Sequence, residues 1–225
     1  MINFSKYPLP NVRHHVSPNL YIPRAELTFD VPYYPPLHTA IDWTTVFADG
    51  KPPHILDIGC GLGKFMLDYA YTHTDTNILG IEVRKKICEW VAHVITTEQT
   101  PNAGMLWYSV VNGVPFIESM SIEKIMYFFP DPWYKKRHVK RRAFTVEFLQ
   151  ECHRMLRQDG LLFLQTDVPE VDAYQREVLT TFGGFLFEDV EESVWRTEYG
   201  LPKTNQEEIC VRNGIPYTRL VCRKR

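Results

Sequence analysis

From His54 onward, short apolar runs alternate with stretches whose apolar residues recur every third or fourth position. Ile55-Leu56-Asp57-Ile58 reads as a buried strand that ends in Gly59-Cys60-Gly61-Leu62-Gly63. Phe65, Met66, Leu67, Tyr69 and Ala70 then predict a packed helix, and Asn77 to Glu82 a second strand. Over 85–98, Ile87, Trp90, Val91, Val94 and Ile95 form one face of an amphipathic helix. Met105 to Val111 and Ile125 to Phe129 predict strands three and four. Residues 144–156 place Phe144, Phe148, Leu149, Cys152, Met155 and Leu156 on one helical face, stopped by a turn at Gln158-Asp159-Gly160. A fifth strand, Leu161 to Leu164, runs into Thr166-Asp167. Strands alternating with helices predict an α/β fold: a mostly parallel sheet with helices on both faces. Ligands of such sheets bind beyond the carboxyl ends of the strands. Gly59, Glu82, Asn112, Asp131 and Asp167 all fall at those predicted ends.

The first quarter of the chain breaks this rhythm. Nine of the 16 prolines lie in residues 1–53. Proline fixes φ and removes a donor, so this segment should be extended and wrapped over other structure, with at most short helical turns. The expected organisation is a proline-rich N-terminal extension over 1–50 and one catalytic domain over 51–225. The basic start of the extension (Arg13-His14-His15, Arg24) allows it to complete the core, cover a ligand or touch a polyanion.

Formal net charge is −2, so no global field draws the protein to nucleic acid or an anionic membrane. A polyanion would have to be gripped locally. The five cysteines (60, 88, 152, 210, 222) contain no Cys-x-x-Cys pair. Buried reduced thiols are expected, with no disulfide framework and no metal site. No apolar run approaches the ~18 residues that span a bilayer, and the N-terminus lacks a signal-peptide pattern. A cytoplasmic location is expected.

One stretch departs from this ordinary balance. Phe128-Phe129-Pro130-Asp131-Pro132-Trp133 is followed by six Lys/Arg within residues 135–142. Two prolines hold Asp131 in a stiff loop, because each also pushes the residue before it out of the helical region. The pattern points an acid into a pocket whose substrate carries phosphates. At the same carboxyl-end rim of the predicted sheet, the Gly59-x-Gly61-x-Gly63 turn lets backbone approach a ligand closely. Glu82 is placed to accept bonds from two ribose hydroxyls. The glycine spacing differs from G-x-G-x-x-G, and Asp57 would repel a dinucleotide pyrophosphate. Both details favour S-adenosylmethionine over a nicotinamide cofactor. Asn112 could contact the adenine amine.

With Asp57–Gly63 (D-I-G-C-G-L-G), Gly80–Arg84 (G-I-E-V-R), the Phe129–Arg142 block and Gln165-Thr166-Asp167 in this order, the chain resembles the tRNA (guanine-N7-)-methyltransferase family from about Arg13 to its C-terminus. The resemblance implies a Rossmann-like class I methyltransferase fold with an antiparallel C-terminal strand, S-adenosylmethionine as cofactor and tRNA as partner. Its cofactor contacts fall on Asp57, Gly59, Gly61, Glu82, Asn112 and Asp131, and Asp131 is also its catalytic residue. Its substrate contacts fall on Lys135, Asp167, Thr204 and Glu207. Lys136, Arg137, Lys140, Arg141 and Arg142 would grip RNA phosphates. Bacterial members usually carry a Lys and an aromatic inside the T-x-x-E motif, where this chain has Asn205-Gln206. The implied reaction is an in-line transfer of methyl to guanine N7 in the tRNA variable region. An exocyclic-amine nucleic-acid methyltransferase and a non-catalytic tRNA-binding protein are the rival readings. A monomer, a homodimer and an accessory subunit are all compatible with the sequence.

Overall fold

A computed structural model of the chain describes residues 2–12, 17–132 and 142–225. Its contacts group the chain into two compact units, Met1–Ile117 and Glu118–Arg225.

In the first unit, β1 (Ile55–Ile58), α1 (Lys64–Thr72), β2 (Ile78–Glu82), α2 (Lys85–Thr97) and β3 (Ala103–Trp107) follow in sequence. The strand order is β3-β2-β1, all parallel, with Ile55 beside Ile78 and Ile78 beside Ala103. Every residue of β1 and β2 is buried. A parallel strand covered on both faces reads as an unbroken apolar run, hence ILDI and ILGIE. Gly80 within β2 has a steric reason. A Cβ there would lie 2.5 Å from Met66 Sδ and 2.8 Å from Cys60 Sγ, so glycine lets α1 and the turn before it sit close on the strand.

The third strand begins and ends earlier than its apolar run predicts. Its partner β2 ends at Glu82, opposite Trp107, so Tyr108–Val111 have no ladder to join. That stretch forms a 3-10 turn over Val110–Asn112 instead. The proline-rich segment occupies it: Ser109 Oγ donates to the Leu20 carbonyl at 2.7 Å, and the Arg24 N–H donates to Asn112 Oδ1 at 2.7 Å. Among the described residues this segment contains only short 3-10 turns, at Phe4–Lys6, Pro18–Tyr21, Arg24–Glu26 and Trp43–Thr45. It is also tied to α2, where Trp90 Nε1 donates to the Pro8 carbonyl at 2.8 Å.

The second unit contains β4 (Ile122–Phe128), α3 (Val146–Met155), β5 (Leu156–Thr166), α4 (Pro169–Phe182), β6 (Phe185–Asp189), α5 (Glu192–Thr197), α6 (Asn205–Asn213) and β7 (Thr218–Lys224). Its strand order is β4-β5-β7-β6. β4 and β5 are parallel, and β7 is antiparallel to both β5 and β6. The parallel pairings of the first unit and of β4 with β5, with β7 running antiparallel, match the expected mostly parallel sheet with an antiparallel C-terminal strand. α3 starts at Thr145, whose Oγ1 accepts from the Phe148 N–H at 3.2 Å, and it buries Phe148, Leu149, Cys152 and Met155. The turn expected at Gln158-Asp159-Gly160 lies inside β5. From Ile122↔Leu156 to Lys124↔Leu161 the register advances two residues on β4 (124 − 122) and five on β5 (161 − 156). The polar triplet is therefore accommodated as a bulge rather than as a break.

Cys88, Cys152, Cys210 and Cys222 are buried, Cys60 is partly buried, and all five are free thiols. Among the described residues no helix is long and apolar enough to cross a membrane.

Candidate active site

The turn after β1 is built from left-handed backbone. Gly59, Gly61 and Gly63 have φ of 77°, 53° and 70°, values that a side chain makes costly. A Cβ at Gly59 would meet nothing within 4 Å, so the glycine opens space rather than relieving a clash. Beside this turn, Glu82 at the end of β2 is held from three directions. Val83 and Arg84 N–H groups donate to its Oε1 at 2.9 and 3.1 Å, and the Gly61 N–H donates to Oε2 at 3.2 Å. The Arg84 guanidinium grips both oxygens, Nε to Oε1 at 3.0 Å and Nη2 to Oε2 at 2.9 Å. This bidentate pair fixes the carboxylate plane. Arg84 is a site residue that sequence reasoning missed, although it closes the Gly80–Arg84 string.

Asp57 is 3% exposed, and its Oδ2 has no hydrogen-bond partner. Burial, with the charge of Glu82 adding to it, pushes its carboxyl up to about 7. A buried carboxylate oxygen without a donor is costly unless a ligand supplies one. A cationic group is the chemistry that satisfies it. Burial also pushes the Cys60 thiol, three residues on, well above its ordinary value, which removes it as a nucleophile. Asn112 is engaged by the N-terminal segment as well. Its Oδ1 accepts from the Arg24 N–H, and its Nδ2 donates to the Tyr34 hydroxyl and the Ser109 carbonyl, each at 3.0 Å.

A small acceptor-lined cradle thus surrounds the glycine turn. Its acceptors fit S-adenosylmethionine: an unsatisfied buried carboxylate for a cationic end, the Glu82 carboxylate for vicinal hydroxyls that would displace the Arg84 guanidinium, and open space over glycine backbone.

In the second unit, β4 ends at Phe128 and the chain turns sharply. Phe129 has φ of 46°, a left-handed conformation in a non-glycine residue, and its N–H donates to the Gln165 carbonyl at 2.8 Å. Such a conformation costs ~1–3 kcal/mol and persists only where the surroundings enforce it. It delivers Pro130-Asp131-Pro132 to the end of the strand, with Asp131 exposed. Burial, and after it the charge of Asp131, pushes the Tyr127 phenol above its ordinary range. Trp133, Lys135, Lys136, Arg137, Lys140 and Arg141 lie outside the described residues. Arg142 is described, and its guanidinium carbon sits 4.1 Å from the centroid of the Tyr174 ring.

Asp167 follows β5 and is partly buried; Gln206 Nε2 donates to its Oδ2 at 2.8 Å, and Cys210 Sγ lies 3.6 Å from the same oxygen. Thr204 and Glu207 form a reciprocal capping box on α6. The Glu207 N–H donates to Thr204 Oγ1 at 3.0 Å, and the Thr204 N–H donates to Glu207 Oε2 at 3.2 Å. Glu207 is fully buried. Its Oε1 accepts from Arg196 and from the Tyr217 hydroxyl at 3.0 Å, with Arg219 at 3.6 Å. Burial, then the Glu207 charge, pushes the Tyr217 phenol up to about 12. No local pattern announces Arg196, Tyr217 or Arg219 as partners of Glu207, because they come from a different helix and from the start of the last strand.

A family model described as a putative methyltransferase matches residues 51–220. The tRNA (guanine-N(7)-)-methyltransferase of Prochlorococcus marinus (strain AS9601) is 31% identical over 178 residues, 76% of this chain and 84% of that one. The enzyme of the same name from Nostoc sp. (strain PCC 7120) is 30% identical over 221 residues, 96% of this chain and 94% of that one. Among solved structures, the precorrin-6y C5,15-methyltransferase of Geobacter metallireducens GS-15 superposes with a TM-score of 0.54 at 12% identity. The match covers 78% of this chain and 81% of that one. A SAM-dependent methyltransferase from Aquifex aeolicus gives 0.51 at 14% identity over 76% and 80%. These likenesses concern the fold.

Parallel α/β units with a left-handed glycine turn after the first strand and an antiparallel strand near the end define a class I methyltransferase. With relatives at this identity and coverage, the chain belongs to the tRNA (guanine-N(7)-)-methyltransferase family.

Proposed function

We propose that this enzyme methylates N7 of a guanosine in the variable region of tRNA. The strongest support is that relatives named for this activity match up to 96% of the chain, a length that takes in both the glycine turn and the Asp131 loop. The cofactor is S-adenosylmethionine, which when bound supplies an electrophilic methyl group on a sulfonium. Asp57 faces its cationic end, Glu82 accepts from its ribose hydroxyls, and Gly59 and Gly61 allow close backbone approach. Asn112 lines the adenine side, and Asp131 borders the methyl.

The guanine N7 lone pair lies in the ring plane and is unprotonated at neutral pH. The chain therefore has no proton to remove before attack, and Asp131 need not be a strong base. It accepts N–H bonds from the guanine edge and stabilises the positive charge that develops on the purine. Both are positioning and electrostatic effects. Asp167 and Lys135 contact the guanosine, and Thr204 and Glu207 support that side of the site through the capped N-terminus of α6. Lys136, Arg137, Lys140, Arg141 and Arg142 hold phosphates of a partner that the acidic remainder of the protein would otherwise repel. The protein acts in the cytoplasm.

Incubation of the enzyme with labelled S-adenosylmethionine and unmodified tRNA, then borohydride reduction and aniline cleavage, should cut the tRNA at a variable-region guanosine. Methyl label found on an exocyclic amine by mass spectrometry, or tRNA retention with no label, would replace this reading with one of its rivals.

Two further outcomes follow from the residues. The first concerns Asp57, whose carboxyl is raised to about 7 and so carries charge mainly above that pH. If the ionised form receives a cationic ligand, affinity rises with pH through neutrality. At pH 6 only about a tenth of the carboxyl is ionised, so S-adenosylhomocysteine should bind about tenfold more weakly than at pH 8. Calorimetric titration reads this, and Asp57→Asn should flatten the dependence. The second concerns the basic block. Reversing Lys136, Arg137 and Lys140 should lower the log–log salt slope of tRNA binding by roughly 2–3, at ~0.7–0.9 per phosphate contact. An unchanged slope would remove the patch from the interface.

A further inference from the structure

We infer that Gln206 is a positioning residue that aims the Asp167 carboxylate at the substrate guanosine. The inference rests on the reading of Asp167 as a substrate contact. Within T-x-x-E, Thr204 and Glu207 are both occupied in capping and burial, whereas Gln206, one residue into α6, reaches out of the motif to Asp167. Its amide Nε2 lies 2.8 Å from Oδ2. Cys210, one helical turn further along the same face, approaches the same oxygen at 3.6 Å, and Gln206 Nε2 stands 3.9 Å from its Sγ. Both contacts fall on Oδ2, so they fix the rotation of the carboxylate and direct Oδ1 elsewhere. The orientation is also favoured electrostatically, because a carboxylate near the first turn of a helix meets the positive end of its dipole.

Chemistry explains why this position carries an amide. A neutral donor can hold a carboxylate without neutralising it, so Asp167 keeps its full acceptor strength for N–H groups of the base. A phenylalanine here would offer no such donor. A glutamate would place a second acid against Asp167.

The test compares Gln206→Glu, which is nearly isosteric, with Gln206→Leu and with Gln206→Lys, which restores a donor. Hydrogen bonds to charged groups set the scale. On that scale the Glu and Leu variants should lose about tenfold or more in kcat/KM for tRNA while S-adenosylhomocysteine affinity and Tm stay near wild type. The Lys variant, which supplies a donor but sets a charge against the acceptor, should recover only part of the loss. In an Asp167→Ala background, Gln206→Leu should have no further effect, because it acts only through the missing carboxylate. Undiminished kcat/KM in the Glu and Leu variants, with Asp167→Ala impaired, would overturn this inference alone. A full additional loss in the Asp167→Ala background would overturn it too. Wild-type turnover in Asp167→Ala itself would instead overturn the substrate role of Asp167 and the positioning role with it.

Discussion

Asp131→Ala should lower kcat on tRNA by ~10²–10³ while leaving S-adenosylhomocysteine affinity within a small factor of wild type. The magnitude is that of removing one fixed group aimed at charge that develops only during reaction. Several features justify treating Asp131 as fixed. It lies between two prolines, and it follows Phe129, which is held in a left-handed conformation by the bond from its N–H to the Gln165 carbonyl. A loop held this way lets its acid act without first being ordered, so the interaction is preserved for the transition state. Single-turnover methylation, paired with calorimetric binding, separates the two effects. Near wild-type turnover in Asp131→Ala would end the role assigned to this residue. Gly substituted at Phe129 gives a useful companion variant, since it adopts φ of 46° without strain and leaves the acid in place.

The second large effect is on stability. Glu207→Ala should destabilise the protein by about 3–5 kcal/mol, the usual range when one member of a buried ion pair is removed. At this chain length that is a fall in Tm of roughly 6–20 °C. Glu207 is fully buried and faces Arg196, Arg219 and the Tyr217 hydroxyl. Its removal takes the buried carboxylate from two largely sequestered guanidinium groups and leaves them, among the described residues, only that of Glu192, which is about half exposed. It also breaks the capping box that starts α6, worth about 1 kcal/mol in other helices. Glu207→Gln keeps the shape and an acceptor for the Thr204 N–H but loses the charge, so it should fall between wild type and alanine. Thermal unfolding followed by circular dichroism measures the series. An unchanged Tm in Glu207→Ala would mean that the cluster contributes nothing net. Methylation measured below the lowered Tm then reports any separate contribution of Glu207 to the substrate.

The first unit was the more legible half of the fold. β1, β2, α1 and α2 fall where apolar runs and helical periodicity place them, because a parallel strand buried on both faces leaves an unbroken apolar signature. β3 drifted from its run because strand ends are set by the length of the neighbouring strand, and β2 stops at Glu82. The Gln158-Asp159-Gly160 triplet has turn chemistry, yet it is absorbed as a bulge because β5 pairs with β4 on both sides of it. The candidate site divides along the same line. The places of the glycine turn, Asp57, Glu82 and Asp131 at strand ends were legible because they depend on neighbours in the chain: glycines for positive φ, and prolines for a stiff loop. Arg84 on Glu82, Gln206 on Asp167, and Arg196 with Arg219 on Glu207 were not, since each depends on a side-chain approach set by packing.

Read alone, the amino-acid order determined the α/β alternation, the glycine turn after the first strand and the proline-clamped acid, all of them consequences of local backbone preference and apolar periodicity. Tertiary structure decided which charges lost their water. It buried Asp57 without a donor, surrounded Glu207 with arginines, bound the N-terminal segment to Asn112 and set Gln206 against Asp167. Those outcomes depend on desolvation and distance between residues far apart in the chain, quantities that exist only once the helices and strands have packed.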